Sequence, residues 1–277
     1  MKKATFIFLI IILTSSCEDT IDFNLQPENT NLLIVEGILT NQKINHRIKL
    51  TIPHQEINGD PEPATGAIVV IEEGNFNGNG DFQTLEVYNL TEDPSGSGEY
   101  FSEAFRAVFG RGYLLKIAYL GVPYFAFDAS VPAEPLDSFD FELAGEDGQL
   151  FRLNLKDSGV EPNFINHEVS WENTPFCEVE ELCKGKVVYY DLKTTDVSDL
   201  FNPDKTNFLF PVNSIVIRTK YSVNENFKNF LRSVLSETEW RGGLFDLQKA
   251  NAPTNLSEGA IGYFAVSTVV SDTTIVN

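Results

Sequence analysis

The residues around Cys17 have the types and spacing of a lipid attachment site. Two lysines follow the initial methionine, residues 4–13 are apolar apart from Thr5, and two serines directly precede the cysteine. A positive start, an apolar centre and small residues before a cleavage site make up a secretory signal peptide. The apolar run is about half of the ~20 residues that a spanning helix needs. We therefore predict a lipoprotein signal peptide over residues 1–16 and a lipidated thiol at Cys17. An ordinary secreted protein with an unmodified cysteine is the alternative.

The acidic residues after the cysteine bear on which membrane face the protein would occupy. Glu18, Asp19 and Asp22 crowd the start of the predicted tether, residues 17–30. They resemble the surface-export signal of lipoproteins from the phylum Bacteroidota. Two or more acyl chains give stable anchoring, at about 0.8 kcal/mol per buried CH₂. We expect an outer-membrane protein that is lipid-anchored and faces the cell exterior. A merely polar tether is the alternative.

The other two cysteines form an evenly matched pair, Cys177 and Cys183. Export places them in an oxidising compartment, where a disulfide closing so short a loop contributes roughly 2 kcal/mol in the chain-entropy model. A metal site is the alternative. It would need two further ligands, and among the histidines His167 is nearest in sequence. We predict a disulfide.

One loop carries oxygen atoms at the spacing of a calcium loop. The candidate ligands are Asn75, Asn77, Asn79, Asp81 and Glu86, with a glycine at the sixth position. The first ligand is an amide where a carboxylate is preferred, and the flanking segments look like strands rather than helices. Asparagine and glycine are also what a tight turn between two strands requires. We therefore predict a hairpin and no cofactor, with a weak calcium site as the alternative.

No motif for familiar catalytic chemistry is present in the sequence. It lacks a nucleophile elbow, a zinc-protease motif, a phosphate-binding loop and a dinucleotide fingerprint. His46, His54 and His167 are scattered singly and are interpreted as edge or loop residues. Asp140 and Glu142 would share one strand face, where paired carboxylates could hydrolyse a glycoside. A solvated strand face is the simpler interpretation, and we predict no catalytic residue.

Composition excludes some partners. The chain of 277 residues carries 40 acidic and 20 basic side chains, a net charge of −20. So negative a protein repels phosphate backbones, which argues against nucleic acid as a partner. With 42% hydrophobic and 12% aromatic residues, it can bury a large core.

The elements that must position these residues are mostly strands. Six β-branched or aromatic runs separated by turn residues lie between residues 31 and 121, and more follow residue 138. We predict a mainly β protein with two β-sandwich-like domains. The first is an immunoglobulin-like sandwich over residues 31–130, and the second is a β-rich domain over residues 131–277. Prolines after residue 130 mark the boundary.

One amphipathic helix is predicted near residues 223–237, packed on the sheet of the second domain. Ser222 and Glu225 have the spacing of a capping box. Apolar residues then recur at the helical period, at Phe227, Phe230, Leu231, Val234 and Leu235.

Several segments together resemble a known family. They are the start through Cys17, "IDFNL", "LIVEGILTN", "AEPLDSF", the helix, "GGLFD" and "GAIGYFAVSTV". The mature chain resembles the Bacteroidota lipoproteins known as domain of unknown function 4249. The resemblance implies a cell-surface lipoprotein encoded beside TonB-dependent outer-membrane receptors, and it supplies no catalytic residue.

The expected function is therefore non-catalytic. We expect an accessory or ligand-binding partner of an outer-membrane β-barrel receptor of the TonB-dependent type. One alternative is a structural subunit of an outer-membrane assembly or export complex. The other is a surface hydrolase that uses acidic residues.

Overall fold

The computed structural model describes six stretches of the chain. They are residues 32–53, 61–144, 149–179, 182–193, 208–238 and 252–277. All of them lie in one compact unit, Asn31–Asn277. The predicted signal peptide, Cys17 and the acidic residues Glu18, Asp19 and Asp22 lie outside the described residues.

Strands dominate this part of the chain, which confirms the predicted mainly β class. The strands are β1 (Leu33–Thr40), β2 (Ile44–Ile52), β3 (Glu62–Pro63), β4 (Ile68–Phe76), β5 (Phe82–Glu92), β6 (Glu99–Phe105), β7 (Gly112–Tyr119), β8 (Val122–Ala129), β9 (Phe141–Leu143), β10 (Leu150–Leu153), β11 (Asn163–Ser170), β12 (Lys184–Asp191), β13 (Phe210–Pro211), β14 (Ile215–Ser222), β15 (Ala260–Ser267) and β16 (Val269–Ile275). Helix α1 spans Glu225–Glu237. No helix in the described stretches is long and apolar enough to cross a bilayer.

The first sheet runs in the order β15, β1, β2, β6, β5, β4, β7, β8, with β3 beside β2. Between β5 and β6 the ladder is confined to Thr91 opposite Phe101 and Glu92 opposite Tyr100. Along the rest of its length β5 pairs with β4. The inward residues on both sides of this narrow junction, among them Leu50 and Leu115, share one core. The two halves of the sheet therefore enclose a common interior, as the faces of a sandwich do.

The two ends of the first sheet are also linked. The Asp128 carboxylate on β8 accepts a hydrogen bond from the Val266 amide of β15 at 2.8 Å. The Asn255 side chain donates to the carbonyls of Phe127 and Phe264, at 3.1 and 2.7 Å. These side chains, together with the backbone hydrogen bond from the Ser257 amide to the Phe125 carbonyl, make the connection that a continuous backbone ladder makes elsewhere in the sheet.

The C-terminal apolar segment forms two strands, β15 and β16. β15 pairs in parallel with β1, from Leu33 opposite Ala260 to Thr40 opposite Ser267. After Thr268, β16 pairs with β14 instead. A strand from the predicted second domain, residues 131–277, therefore completes the first sheet. The domain boundary at residue 130 stays a prediction.

The second half of the chain forms a four-stranded sheet, in the order β12, β11, β14, β16, and a small sheet of β13, β10 and β9. Alternate side chains of β14 bind the proline-containing segment that follows β8. Arg218, Lys220 and Ser222 donate to the carbonyls of residues 137, 135 and 131, at 2.8, 3.4 and 2.8 Å. The period of two along a strand puts these three donors on one face, so that face holds the segment in place.

Helix α1 forms where the sequence predicts it, but the predicted cap is wrong. The N-cap is Asn224, whose side-chain oxygen accepts from the Phe227 amide at 2.9 Å. Ser222 is still the last residue of β14, and its hydroxyl accepts from the Thr268 amide at 2.9 Å. The hydroxyl is thus engaged by the residue between β15 and β16 and does not cap the helix.

The prediction that His46 and His167 are edge or loop residues is wrong, and His54 lies outside the described residues. His46 is 1% exposed on β2, and His167 is 5% exposed on β11. Each strand has a neighbour on both sides. Burial lowers the pKa of both imidazoles to about 4, so both are neutral at pH 7.

Candidate ligand-binding groove

A cavity of about 520 Å³ opens between the two main sheets and helix α1. Its walls come from β1 and β2 of the first sheet, from β11, β12 and β14 of the second, and from the helix. We call it the aromatic groove. Small-molecule sites in proteins commonly enclose about 300–1,000 Å³.

One wall of the groove is a row of aromatic rings across three strands. In the sheet register, Phe164 on β11 lies opposite Tyr190 on β12 and opposite Tyr221 on β14. The rings of Phe164 and Tyr221 stack with centroids 4.5 Å apart and planes 7° apart. Tyr190 lies 5.7 Å from Phe164 at a tilt of 38°. Direct cross-strand pairing brings side chains this close because their Cβ atoms are about 4.5–5.5 Å apart.

The helix supplies the adjoining wall. Phe227 and Leu231 are one helical turn apart, so they share the face that α1 turns toward the sheets. Phe227 also stacks on Tyr263 of β15, with centroids 4.9 Å apart. These contacts confirm the amphipathic helix and tie its position to both sheets.

The rim of the groove is more basic than the protein as a whole. Arg47 and Lys186 line it, and Glu36 is the only carboxylate among its described lining residues. Each cation has an acidic neighbour outside the groove. Arg47 contacts Glu99 at 2.8 Å, and Lys186 contacts Glu168 at 3.4 Å. Exposed pairs of this kind contribute about 0–1 kcal/mol, so they hold the cations only weakly.

His46 is among the residues that line the groove, but its imidazole is not equipped to act as a general base. Its Nε2 lies 3.1 Å from the Phe105 carbonyl, and its ring packs edge-on against Phe105 at 4.5 Å. With a pKa of about 4, the imidazole is uncharged at neutral pH. Its ring packs with Phe105, which belongs to the core of the first sheet.

A second concavity, the acidic cavity, has a volume of about 640 Å³ and lies where β5 and β6 diverge. Glu92, Asp93 and Glu103 are among its lining residues. Glu92 is engaged structurally, since it accepts from the amides of Gly98 and Gly66 at 2.9 and 3.2 Å. The carboxylate is therefore a turn-stabilising group in this structure.

The carboxylates singled out from the sequence lie elsewhere. Asp140 accepts hydrogen bonds from Lys156 and Asn154 at 2.6 and 2.8 Å, and Glu142 lies opposite Arg152 in the small sheet. The bond from Lys156 is the main cause of a lowered pKa at Asp140. A general acid at neutral pH needs a raised pKa, so this environment does not favour that role for Asp140.

The predicted disulfide is confirmed. Cys177 and Cys183 are bonded, with their Cα atoms 5.6 Å apart. The bond closes the loop between β11 and β12, and Cys183 is buried just before β12 begins. It therefore fixes one end of the strand that carries Tyr190 and Lys186.

The candidate calcium loop forms the predicted hairpin. The Asn77 side-chain oxygen accepts from the amides of Asn79 and Asp81, both at 2.9 Å. Asn75 lies on β4, and Glu86 lies on β5 opposite Glu73. No cluster of three or more His, Cys, Asp or Glu side chains fit to hold a metal occurs in the described residues. Calcium binding here stays an untested alternative.

The aromatic groove was missed at the sequence level because its residues come from segments far apart in the chain. A signal is present in retrospect. "NFINH", "KVVYYD" and "TKYSV" each carry a groove aromatic two or four residues from a polar residue of the same strand parity, namely Asn166, Lys186 and Thr219. The register that aligns them depends on long-range pairing, which single segments do not encode.

Comparison with protein-family models matches residues 18–273 to the one described as "Domain of unknown function (DUF4249)". No curated protein matches the chain. Among solved structures, one similar chain is titled "Crystal structure of CBD12 from CALX1.2". The identity is 12%, the match covers 87% of this chain and 100% of that one, and the TM-score is 0.16. So low a score carries no argument about this protein.

Proposed function

Because the chain belongs to the family described as Domain of unknown function (DUF4249), we propose that it is a non-catalytic surface lipoprotein that binds a ligand for a TonB-dependent outer-membrane receptor. The observation that supports ligand binding is the aromatic groove, a preformed cavity with an apolar wall and a polar rim. The anchor is supported by the sequence around Cys17. The receptor is supported by the resemblance of the whole mature chain.

The test is extraction of the protein from its native membrane by detergent, followed by capture through a C-terminal tag. We expect an outer-membrane β-barrel of the TonB-dependent type to co-purify. The matched control is Cys17→Ala, which removes the acyl chains and leaves the groove unchanged. This variant should leave the membrane fraction. Recovery of the wild-type protein without any barrel partner would contradict the receptor role.

A second candidate function, a structural subunit of a surface assembly, is favoured by an exposed aromatic cluster on the first sheet. The rings of Phe76, Phe82 and Phe127 lie 5.3–6.0 Å apart. Phe76 is 57% exposed and Phe127 is 38% exposed. Beneath them, a Cβ added at Gly112 would lie only 2.6 Å from the Phe127 ring. Exposed apolar patches often mark interaction sites.

The two candidates are separated by Phe76→Ser combined with Phe127→Ser. If the aromatic cluster holds an assembly together, this variant loses its co-purifying partners. If the protein works through the aromatic groove, the variant should keep ligand binding unchanged.

A further inference from the structure

We infer that the aromatic groove binds small molecules that combine a flat unsaturated ring system with an anionic group. The inference deepens the proposed function and rests on it only in taking the groove as a ligand site.

The shape of the aromatic wall favours a flat ligand. The rings of Phe164 and Tyr221 lie in nearly parallel planes, 7° apart, and both residues line the cavity. Stacked and edge-on contacts with such rings are best made by another planar, polarisable group. Phe227 and Leu231 on the helix offer apolar contacts at the adjoining wall. An aliphatic chain would gain burial here, but it would gain nothing from the alignment of the rings.

The charges on the rim favour an anion. Two cations and one described carboxylate line the groove, in a protein whose net charge is −20. An anionic ligand group could replace Glu99 as the partner of Arg47, or Glu168 as the partner of Lys186. The displaced carboxylates are at least partly exposed and can be hydrated, so the exchange costs little. A cationic ligand would meet repulsion from both basic residues.

A phenol at the wall can add a hydrogen bond. Tyr221 lines the groove, and burial raises the pKa of its hydroxyl above the ordinary value. The group therefore remains protonated at neutral pH and can donate to an anionic oxygen. This supports the same ligand class without requiring any change in the fold.

The experiment uses two fluorescent probes that share one ring system. 8-Anilinonaphthalene-1-sulfonate carries an anionic group, and N-phenyl-1-naphthylamine is its uncharged counterpart. Each is titrated into the whole mature protein. We expect saturable binding of the sulfonate at one site, about tenfold tighter than binding of the neutral probe, as charge-assisted contacts would give.

Two basic residues provide the site-directed test. Lys186→Gln and Arg47→Gln should each weaken sulfonate binding several-fold and leave the neutral probe unaffected. The control is Lys184→Gln, on the same strand but outside the groove lining, which should change neither. Tyr221→Leu should weaken both probes. Because that variant removes a packed ring, its fold is checked by near-ultraviolet circular dichroism, and the lysine and arginine variants carry the test if it unfolds.

Three results would overturn the inference. The first is equal affinity for the two probes. The second is unchanged sulfonate affinity in Lys186→Gln and Arg47→Gln. The third is an equal loss of sulfonate affinity in the control Lys184→Gln. Tight binding of the neutral probe alone would indicate a purely apolar site. If the wild-type protein binds neither probe but still co-purifies with a barrel, the ligand class is refuted and the receptor role is not. If the probes bind as predicted but no barrel co-purifies, the ligand class is supported and the receptor role is refuted.

Discussion

At the scale of single residues, one fully buried ion pair joins β14 to the segment that follows β10. Lys220 and Asp157 are 1% and 0% exposed at their side chains and lie 2.8 Å apart. The Asp157 carboxylate also accepts from the Asn163 side-chain amide at 2.9 Å, and Lys220 donates to a backbone carbonyl. Both charges thus have several partners, which is the condition for burying them without a large penalty.

Lys220→Met should therefore destabilise the protein by about 3–5 kcal/mol, because it leaves the Asp157 carboxylate buried without its counter-charge. The measurement is the free energy of unfolding in urea. Lys156→Met breaks only the exposed pair with Asp140 and serves as the control, with an expected loss below about 1 kcal/mol. A loss as small at Lys220 as at Lys156 would contradict this account of the buried pair.

Asp128 should make stability fall as pH rises. Burial is the main cause that raises its pKa from 3.8 to about 6. Its contribution is therefore fully present below about pH 4 and is lost as pH rises through 6. The size is about 2–3 kcal/mol. The Asp128→Asn side chain cannot ionise. The amount by which this variant's free energy of unfolding, measured in urea, falls below that of wild type should therefore shrink by about 2–3 kcal/mol between pH 4 and pH 7. A constant difference across that range would refute the prediction.

The buried histidines should make the stability of the protein fall as pH falls, which is the opposite of the effect of Asp128. Burial lowers the pKa of His46 and His167 from 6.5 to about 4, so their contribution to stability is present above pH 6.5 and is lost as pH falls through 4. Each is worth about 3 kcal/mol at most. We expect His46→Phe to flatten the acid limb of the wild-type stability curve, measured by urea denaturation at each pH. An unchanged acid limb would count against the buried neutral imidazole.

At the scale of elements, local patterns predicted most strands and the helix, because alternation and helical periodicity are properties of single segments. β8 was not among the predicted strands, and Pro123 lies at its start. The pairing of β1 with β15 could not be predicted, since register depends on residues far apart in the chain. The groove depends on the pairing of β11 with β12 and β14 and on the packing of α1, so it could not be predicted either.

The cap of helix α1 is a test at this scale. Asn224→Ala removes the acceptor for the Phe227 amide and the donor to the Asp128 carboxylate, which lies 2.7 Å away. We expect a loss of about 1–2 kcal/mol in the free energy of unfolding. Ser236→Ala, whose hydroxyl donates to a carbonyl within the helix, should cost much less. Equal losses for the two variants would show that Asn224 is not the cap.

At the scale of the whole molecule, β15 joins the two halves of the chain. It pairs with β1, contacts helix α1 through Tyr263, and is linked to β8 by Asp128. A chain lacking residues 252–277 should therefore fail to form the first sheet, although most of that sheet lies before residue 130. Near-ultraviolet circular dichroism and resistance to trypsin are the measurements. Cooperative folding of a fragment spanning residues 31–130 would contradict this dependence.

Because β1 and β15 come from opposite ends of the described chain, synthesis separates them in time. Just beyond β1, the side-chain amide of Asn41 donates a hydrogen bond to the carbonyl of Val269, which lies 228 residues later in the chain. A nascent polypeptide would present one edge of β1 without its partner until Ala260–Ser267 has been synthesised, and such unpaired edges invite association with other chains. Newly made protein should thus depend on a holding chaperone for longer than its size alone suggests.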